Sequence, residues 1–102
     1  MSFLSNLFSS RPKESIADLL AAGAVIVDVR SKGEYQSGHL KNSINIPLDT
    51  LANQLGKLKM DKPIITCCAS GMRSGSARSF LQKKGYKVVN GGSWVGLRKY
   101  DR

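Results

Sequence analysis

Two cysteines, one histidine and one tryptophan among 102 residues leave little room for several kinds of chemistry. His39 and the adjacent pair Cys67 and Cys68 cannot supply the four ligands of a structural zinc site, so no metal is expected. Nor are adjacent cysteines a disulfide framework. Neighbouring Cα atoms lie about 3.8 Å apart, short of the roughly 4.4–6.8 Å usual across a disulfide. A Cys67–Cys68 bond would be strained, which disfavours a redox sensor built on the pair. No run of 18 apolar residues exists, so no membrane span is expected. The first ten residues, MSFLSNLFSS, lack a basic leader and a sustained apolar core. They make a poor secretory signal, and a cytoplasmic location is the expectation. No motif for an organic cofactor is present, and none is expected.

Acidic residues are scarce in the second half. Residues 1–61 carry seven Lys/Arg against six Asp/Glu, whereas residues 62–102 carry nine against one, and the whole chain has a net charge of +9. Such a field concentrates small anions or an acidic protein partner; the plainer reading is a solvated basic face. Aromatic residues are 7% of the chain and are not interleaved with the cations. A stacking platform for single-stranded nucleic acid is therefore disfavoured.

The length and the 41% hydrophobic content fit one domain over residues 1–102. Residues 1–12 read as an N-terminal extension, where Phe3, Leu4, Leu7 and Phe8 form a short apolar helical stripe. The stripe is too short to be a stable helix alone. It is expected to lie on the domain's own surface, with a dimer or membrane contact as the alternative. Pro12 can open a helix that carries Ile16, Leu19 and Leu20 inward and ends at Gly23. AVIVDVR (24–30) reads as a buried strand, SKGEYQSGHLKN as a loop with room for one helical turn, and SINIP (43–47) as a second strand. Leu48, Leu51, Leu55 and Leu58 have helical spacing, with Asp49 as N-cap. PIITC (63–67) is a third strand, RSGSARSFLQKKG a helix with Ala77, Phe80 and Leu81 inward, YKVVN a fourth strand, and GGSWVGLRKY a glycine turn with a last short helix. Strands alternating with helices predict an α/β domain with a mostly parallel central sheet. Ligands in such sheets bind beyond the carboxyl ends of the strands.

The stretch IITCCASGMRS (64–74) lies at such an end. A strand turning sharply into a helix gathers backbone N–H groups into one concavity, and the helix start adds partial positive charge. Gly71 suits the turn, and Arg73 adds a cation. A cysteine facing that cup is a candidate nucleophile with a depressed pKa. The spacing leaves two registers open: Cys67-x5-Arg73 or Cys68-x4-Arg73. Cys67, as part of the strand, is expected to be a small buried hydrophobe.

VDVRSKGEYQSGHLKNSINIPL and CASGMRSGSARSFLQKKGYKVVNGG, in that order, resemble the two signature stretches of the rhodanese family. The likeness runs from about residue 13 to 92 and is closest in feel to the single-domain, phage-shock type. It implies a rhodanese-like domain with helices on both faces of the sheet. It also implies ping-pong transfer of a sulfane sulfur, from a small anionic donor such as thiosulfate to a thiol or cyanide acceptor. Cys68 would carry the persulfide, and Ala69, Ser70, Gly71, Met72 and Arg73 would bind substrate. Asp28, Arg30, Glu34 and His39 match framework positions, with Arg30 and Glu34 paired beside the loop. The resemblance also favours the shorter register. Phosphatases of the same fold use the longer loop, but place a His before the cysteine, where this chain has Thr66, and no acid in CASGMRS could protonate a leaving alcohol. Two alternatives stand beside the enzyme. One is a persulfide carrier that serves a protein partner through the basic half. The other is a phosphatase or arsenate reductase using Cys67. Small neutral side chains at Ala69 and Ser70 leave the preferred donor open, and Trp94 is read as a cover for the core.

Overall fold

The computed structural model describes residues 15–101. The apolar extension and Pro12 lie outside the described residues. Four strands, β1 (Val25–Asp28), β2 (Ser43–Asn45), β3 (Ile64–Cys68) and β4 (Val88–Ser93), form one sheet in the order β2-β1-β3-β4. Every pairing is parallel. Three α-helices, α1 (Ile16–Ala21), α2 (Lys32–Ser37) and α3 (Met72–Lys83), and three 3₁₀ segments at Leu48–Asn53, Leu55–Lys57 and Val95–Tyr100 complete the α/β domain.

β3 reads as a continuous apolar run because it is central and covered on both faces; all five of its residues are buried. Alternation along the strands divides the core in two. Val27, Val29, Ile64 and Cys68 pack with Leu51, Ala77 and Leu81 on one face. Ile26, Ile65 and Cys67 pack with Leu19, Leu40 and Leu97 on the other. Helical segments therefore cover both faces, as the sequence predicts.

Four local expectations are corrected. The polar stretch after β1 contains a real helix, α2. Ser31 accepts from the Glu34 amide, and the Glu34 carboxylate accepts from the Ser31 amide, a reciprocal capping box. Leu48 to Leu58 is not one α-helix but two 3₁₀ segments, broken at Gln54. Their leucines still face the core, because spacings of three, four and three residues fit two tight turns with one residue between them. Asp49 is not the N-cap; Pro47 stands there, without a side-chain cap bond. The third correction concerns the start of α1, which is capped by Ser15; its end is as expected, with Gly23 following the Ala22 cap at φ 94°.

The last correction bears on the site. Gly91 and Gly92 are not a turn but part of β4. Thr66 pairs with Asn90 while Cys68 pairs with Ser93, so β4 carries one extra residue, a bulge opposite the end of β3. A Cβ on Gly91 would lie 2.7 Å from Ile65 Cγ2 and 2.9 Å from the Thr66 carbonyl oxygen, so only glycine fits.

Candidate active site

Cys68 is the last residue of β3, and its side chain faces α3. Between them Gly71 takes φ 106° and stands as the N-cap of α3. That left-handed turn is open to glycine at little cost. It aims backbone donors at the sulfur: the Gly71 amide lies 3.0 Å from Cys68 Sγ and the Ser74 amide 3.4 Å. The Cys68 thiol donates to Ser74 Oγ over 3.4 Å.

The two cysteines differ in kind. Burial alone would push the Cys68 thiol up, but its hydrogen bonds with Ser74, followed by those from the amides of Gly71 and Ser70, outweigh it, and the pKa is lowered to about 7. Cys67 points to the opposite face. Burial, then the nearby Asp28 carboxylate, pushes its thiol up to about 12 against the opposing pull of Arg30. The longer loop register therefore begins at a side chain turned away from the amide cup, toward Ile26 and Leu97.

Arg73 and Glu34 meet across 39 residues of chain. Arg73 Nη1 donates to Glu34 Oε1 at 2.7 Å and Nη2 to Oε2 at 3.0 Å, a two-pronged clamp between the loop and α2. Arg73, with the Ser31 amide and hydroxyl, holds the Glu34 carboxyl down at about 2. Arg30 does not pair with the Glu34 carboxylate as expected from the resemblance. Its guanidinium grips Asp28 through Nε and Nη2, at 3.0 and 2.8 Å, and also donates to the backbone carbonyls of Gly38 and Glu34. Trp94 lies over the same guanidinium, 4.7 Å from the ring centroid. This buried pair braces the end of β1 beside the loop. His39 is exposed, stacks on Tyr35 and donates from Nδ1 to the Tyr35 carbonyl at 2.7 Å. It is occupied in α2's neighbourhood rather than at the sulfur.

Of the loop residues, Ser70 and Gly71 turn their amides to Cys68, and Arg73 closes the loop onto Glu34. Ala69 and Ser70 are exposed, and Met72 is 79% exposed. Ser74 and Asn90 also belong to the site and escaped the sequence reading. Ser74 follows Arg73 directly and could have been found from the first turn of the helix. Asn90 joins the site through the pairing of β4 with β3 and carries no local signal.

The two cations at the loop, Arg73 and Arg30, are each paired with a carboxylate, and many of the lysines lie elsewhere. Lys57, Lys59 and Lys62 border an apolar groove of about 230 Å³ with Val25, Ile44, Leu58 and Ile64. Lys83 and Lys84 end α3, and Lys87 precedes β4. These lysines surround the amino ends of the strands, opposite the loop. Among the described residues no three His, Cys, Asp or Glu side chains are grouped to hold a metal ion, and no helix is long and apolar enough to cross a membrane.

Residues 12–96 match the Rhodanese-like domain family, and the chain belongs to it. The chain is similar to the thiosulfate sulfurtransferase GlpE of Pseudomonas savastanoi pv. phaseolicola, 34% identical over 82 residues that cover 80% of this chain and 77% of that protein. It is also similar to the tRNA uridine(34) hydroxylase of Cronobacter sakazakii, 38% identical over 72 residues, 65% of this chain but 21% of that protein. Among solved structures, a rhodanese-related protein from Thermoplasma volcanium superposes with a TM-score of 0.71 at 33% identity, covering 86% of this chain and 92% of that one. The family and the GlpE likeness support sulfur transfer at family level, while the hydroxylase shows the same domain within a protein named for another reaction.

Proposed function

We propose that this chain moves a sulfane sulfur from thiosulfate, or a donor of similar charge, to a thiol or cyanide acceptor through a persulfide on Cys68. The observation that carries the reading is the Cys68 sulfur lying under the Gly71 and Ser74 amides where β3 turns into α3. That arrangement favours thiolate and gathers anions at the same point.

The Cys68 thiolate attacks the outer sulfur of thiosulfate and forms a new S–S bond. The old S–S bond breaks and sulfite leaves with its electron pair. The persulfide keeps a single negative charge, cradled by the backbone from Ala69 to Arg73. An acceptor thiolate then attacks the terminal sulfur, forms its own persulfide and returns Cys68 as thiolate; cyanide leaves as thiocyanate by the same step. Arg73, clamped by Glu34, fixes the loop around these anions.

Intact mass after thiosulfate treatment tests this. One cyanide-labile sulfur is expected on the wild type and on Cys67→Ser, and none on Cys68→Ser. Sulfur that follows Cys67, or never appears, would overturn the reading. A second reading is favoured by the lysine-bordered groove remote from the loop. There the chain is a carrier whose acidic protein partner docks at the far end and reaches round to the loop with an acceptor thiol of its own, which takes the sulfur from Cys68. Delivery to such a partner would fall steeply with salt, while turnover with cyanide would change less.

A further inference from the structure

Cys68 shares a hydrogen-bond network with a strand that contributes no charged group to the site. Asn90, on β4, accepts at Oδ1 from the Ser74 hydroxyl at 2.6 Å and from the Gly92 amide at 2.9 Å. Its Nδ2 donates to the Gly71 carbonyl at 3.1 Å. Two donors at one end and a carbonyl at the other fix which end of the amide is oxygen. One side chain thus ties the bulge, the left-handed turn and the first turn of α3 together.

Ser74 has a single hydroxyl proton. At 2.6 Å from Asn90 Oδ1 that proton is committed to Asn90. The side of Ser74 Oγ that faces Cys68 is then a lone pair, which accepts the thiol S–H. A lone pair facing sulfur favours thiol, whereas a proton facing sulfur favours thiolate.

We propose that Asn90 is a positioning residue that governs ionisation of Cys68 by holding the Ser74 hydroxyl proton away from the sulfur. As the thiol proton leaves to solvent, the Ser74 hydroxyl can turn to the new anion only by giving up its bond to Asn90. The thiol therefore ionises less readily than the amide cup alone would allow, and the step that makes the nucleophile is coupled to the anchoring of the loop. This deepens the sulfur-transfer reading and rests on it for its meaning in turnover. The network's effect on the thiol can be measured without any sulfur donor.

The charged and titratable groups on the elements packed around this thiol are Arg73, Arg78 and Lys83 on α3, Lys32, Glu34 and Tyr35 on α2, Asp28 and Arg30 at the end of β1, Cys67 beside it and Asp49 on the Leu48–Asn53 segment. Substitution at positions 90 and 74 leaves all of them in place. The experiment is the rate of iodoacetamide alkylation at Cys68, located by peptide mass, as a function of pH. It is run on the wild type, Asn90→Ala, Ser74→Ala and the double variant. Asn90→Ala should lower the midpoint by about one pH unit, the scale of one hydrogen bond to a charged group. Ser74→Ala removes an acceptor for the thiol and no committed donor to the thiolate, so the midpoint should not rise. In the Ser74→Ala background the effect of Asn90→Ala should vanish, because the two share one proton. A rise with Ser74→Ala, or an Asn90→Ala shift that persists without the Ser74 hydroxyl, overturns the proposal. Should Asn90→Ala not fold, the sign of the Ser74→Ala shift decides alone. Midpoints that follow this pattern in a protein that takes up no sulfur would sink the sulfur-transfer reading and leave the network standing; the reverse result would do the opposite.

Discussion

Cys67 and Cys68 are neighbours in one strand, and both are fully buried, yet their thiols are driven in opposite directions. Burial cannot explain the difference, since it raises both. The pleat of β3 explains it. Successive side chains point to opposite faces, so a step of one residue exchanges one core for the other. On one face the thiol meets apolar side chains and the Asp28 carboxylate. On the other it meets three amides and a hydroxyl gathered by a glycine turn. Reactivity here is decided by the direction of a side chain and the donors within reach of it.

The strongest way to break this comparison is to remove each thiol in turn and measure thiosulfate:cyanide turnover. Cys68→Ser should fall to the background reaction. Cys67→Ser should keep kcat/KM within about twofold, because its side chain does not reach the cup, while losing roughly 1–3 kcal/mol of stability for a hydroxyl placed among apolar neighbours. Turnover that is lost equally in both variants would show that the two faces are not separate.

A smaller effect is expected from the clamp that holds the cup in shape. Arg73→Ala removes both prongs to Glu34 and should lower kcat/KM about 10–100-fold, the range for a displaced binding group. Glu34→Gln leaves the cation in the loop and should cost less. If Arg73→Ala alters stability but not kcat/KM, the clamp belongs to the scaffold alone.

The pH dependence sharpens the contrast further. The Cys68 pKa is lowered from an ordinary value of 9.0. An acid depressed in this way contributes stability that is present above the ordinary value and lost as pH falls through the folded one. The alkylation midpoint of Cys68 should lie below 9.0, at about 7. Between pH 7 and 9 the wild type should therefore gain stability relative to Cys68→Ser. Cys67, pushed up to about 12, should stay unlabelled across the same range. The Glu34 carboxyl, held at about 2, keeps its clamp until pH falls through that value, so an acid limb of activity near neutrality would belong to Cys68. A midpoint at the ordinary cysteine value would remove the distinction between the two thiols.

Much of this architecture was legible because it is local. The apolar runs at 24–30 and 63–67, the Gly after Cys68 and the following helix all state themselves within a few residues. The capping box at Ser31 and Glu34 was equally local, but its polar sequence reads as loop until the reciprocal bonds are seen. The leucines at 48–58 fix an inward face without choosing between an α-helix and 3₁₀ turns. What could not be read is what the tertiary fold brings together. Glu34 meets Arg73 across 39 residues, and Asn90 reaches Ser74 across 16. Both contacts depend on strand order, and the second lies beside the bulge at Gly91, where contact with Ile65 and Thr66 admits no side chain.

The smallest effect should come from the feature that dominates the composition. The whole chain's net charge of +9 suggested a field drawing anions to the cup. Parallel strands place their carboxyl ends, and the cup, at one edge of the sheet, whereas Lys57, Lys59 and Lys62 border a groove at the other. Across roughly 17 Å of strand, surface charges are largely screened at physiological salt, where the Debye length is about 8 Å. Replacing all three lysines with Glu should therefore leave KM for thiosulfate within about twofold. The same variant should abolish delivery to an acidic protein partner, if the chain serves one at that end. A large rise in KM would mean that the cup relies on the field of the whole molecule, and that the contrast between its two cysteines is not set by the few donors around Cys68.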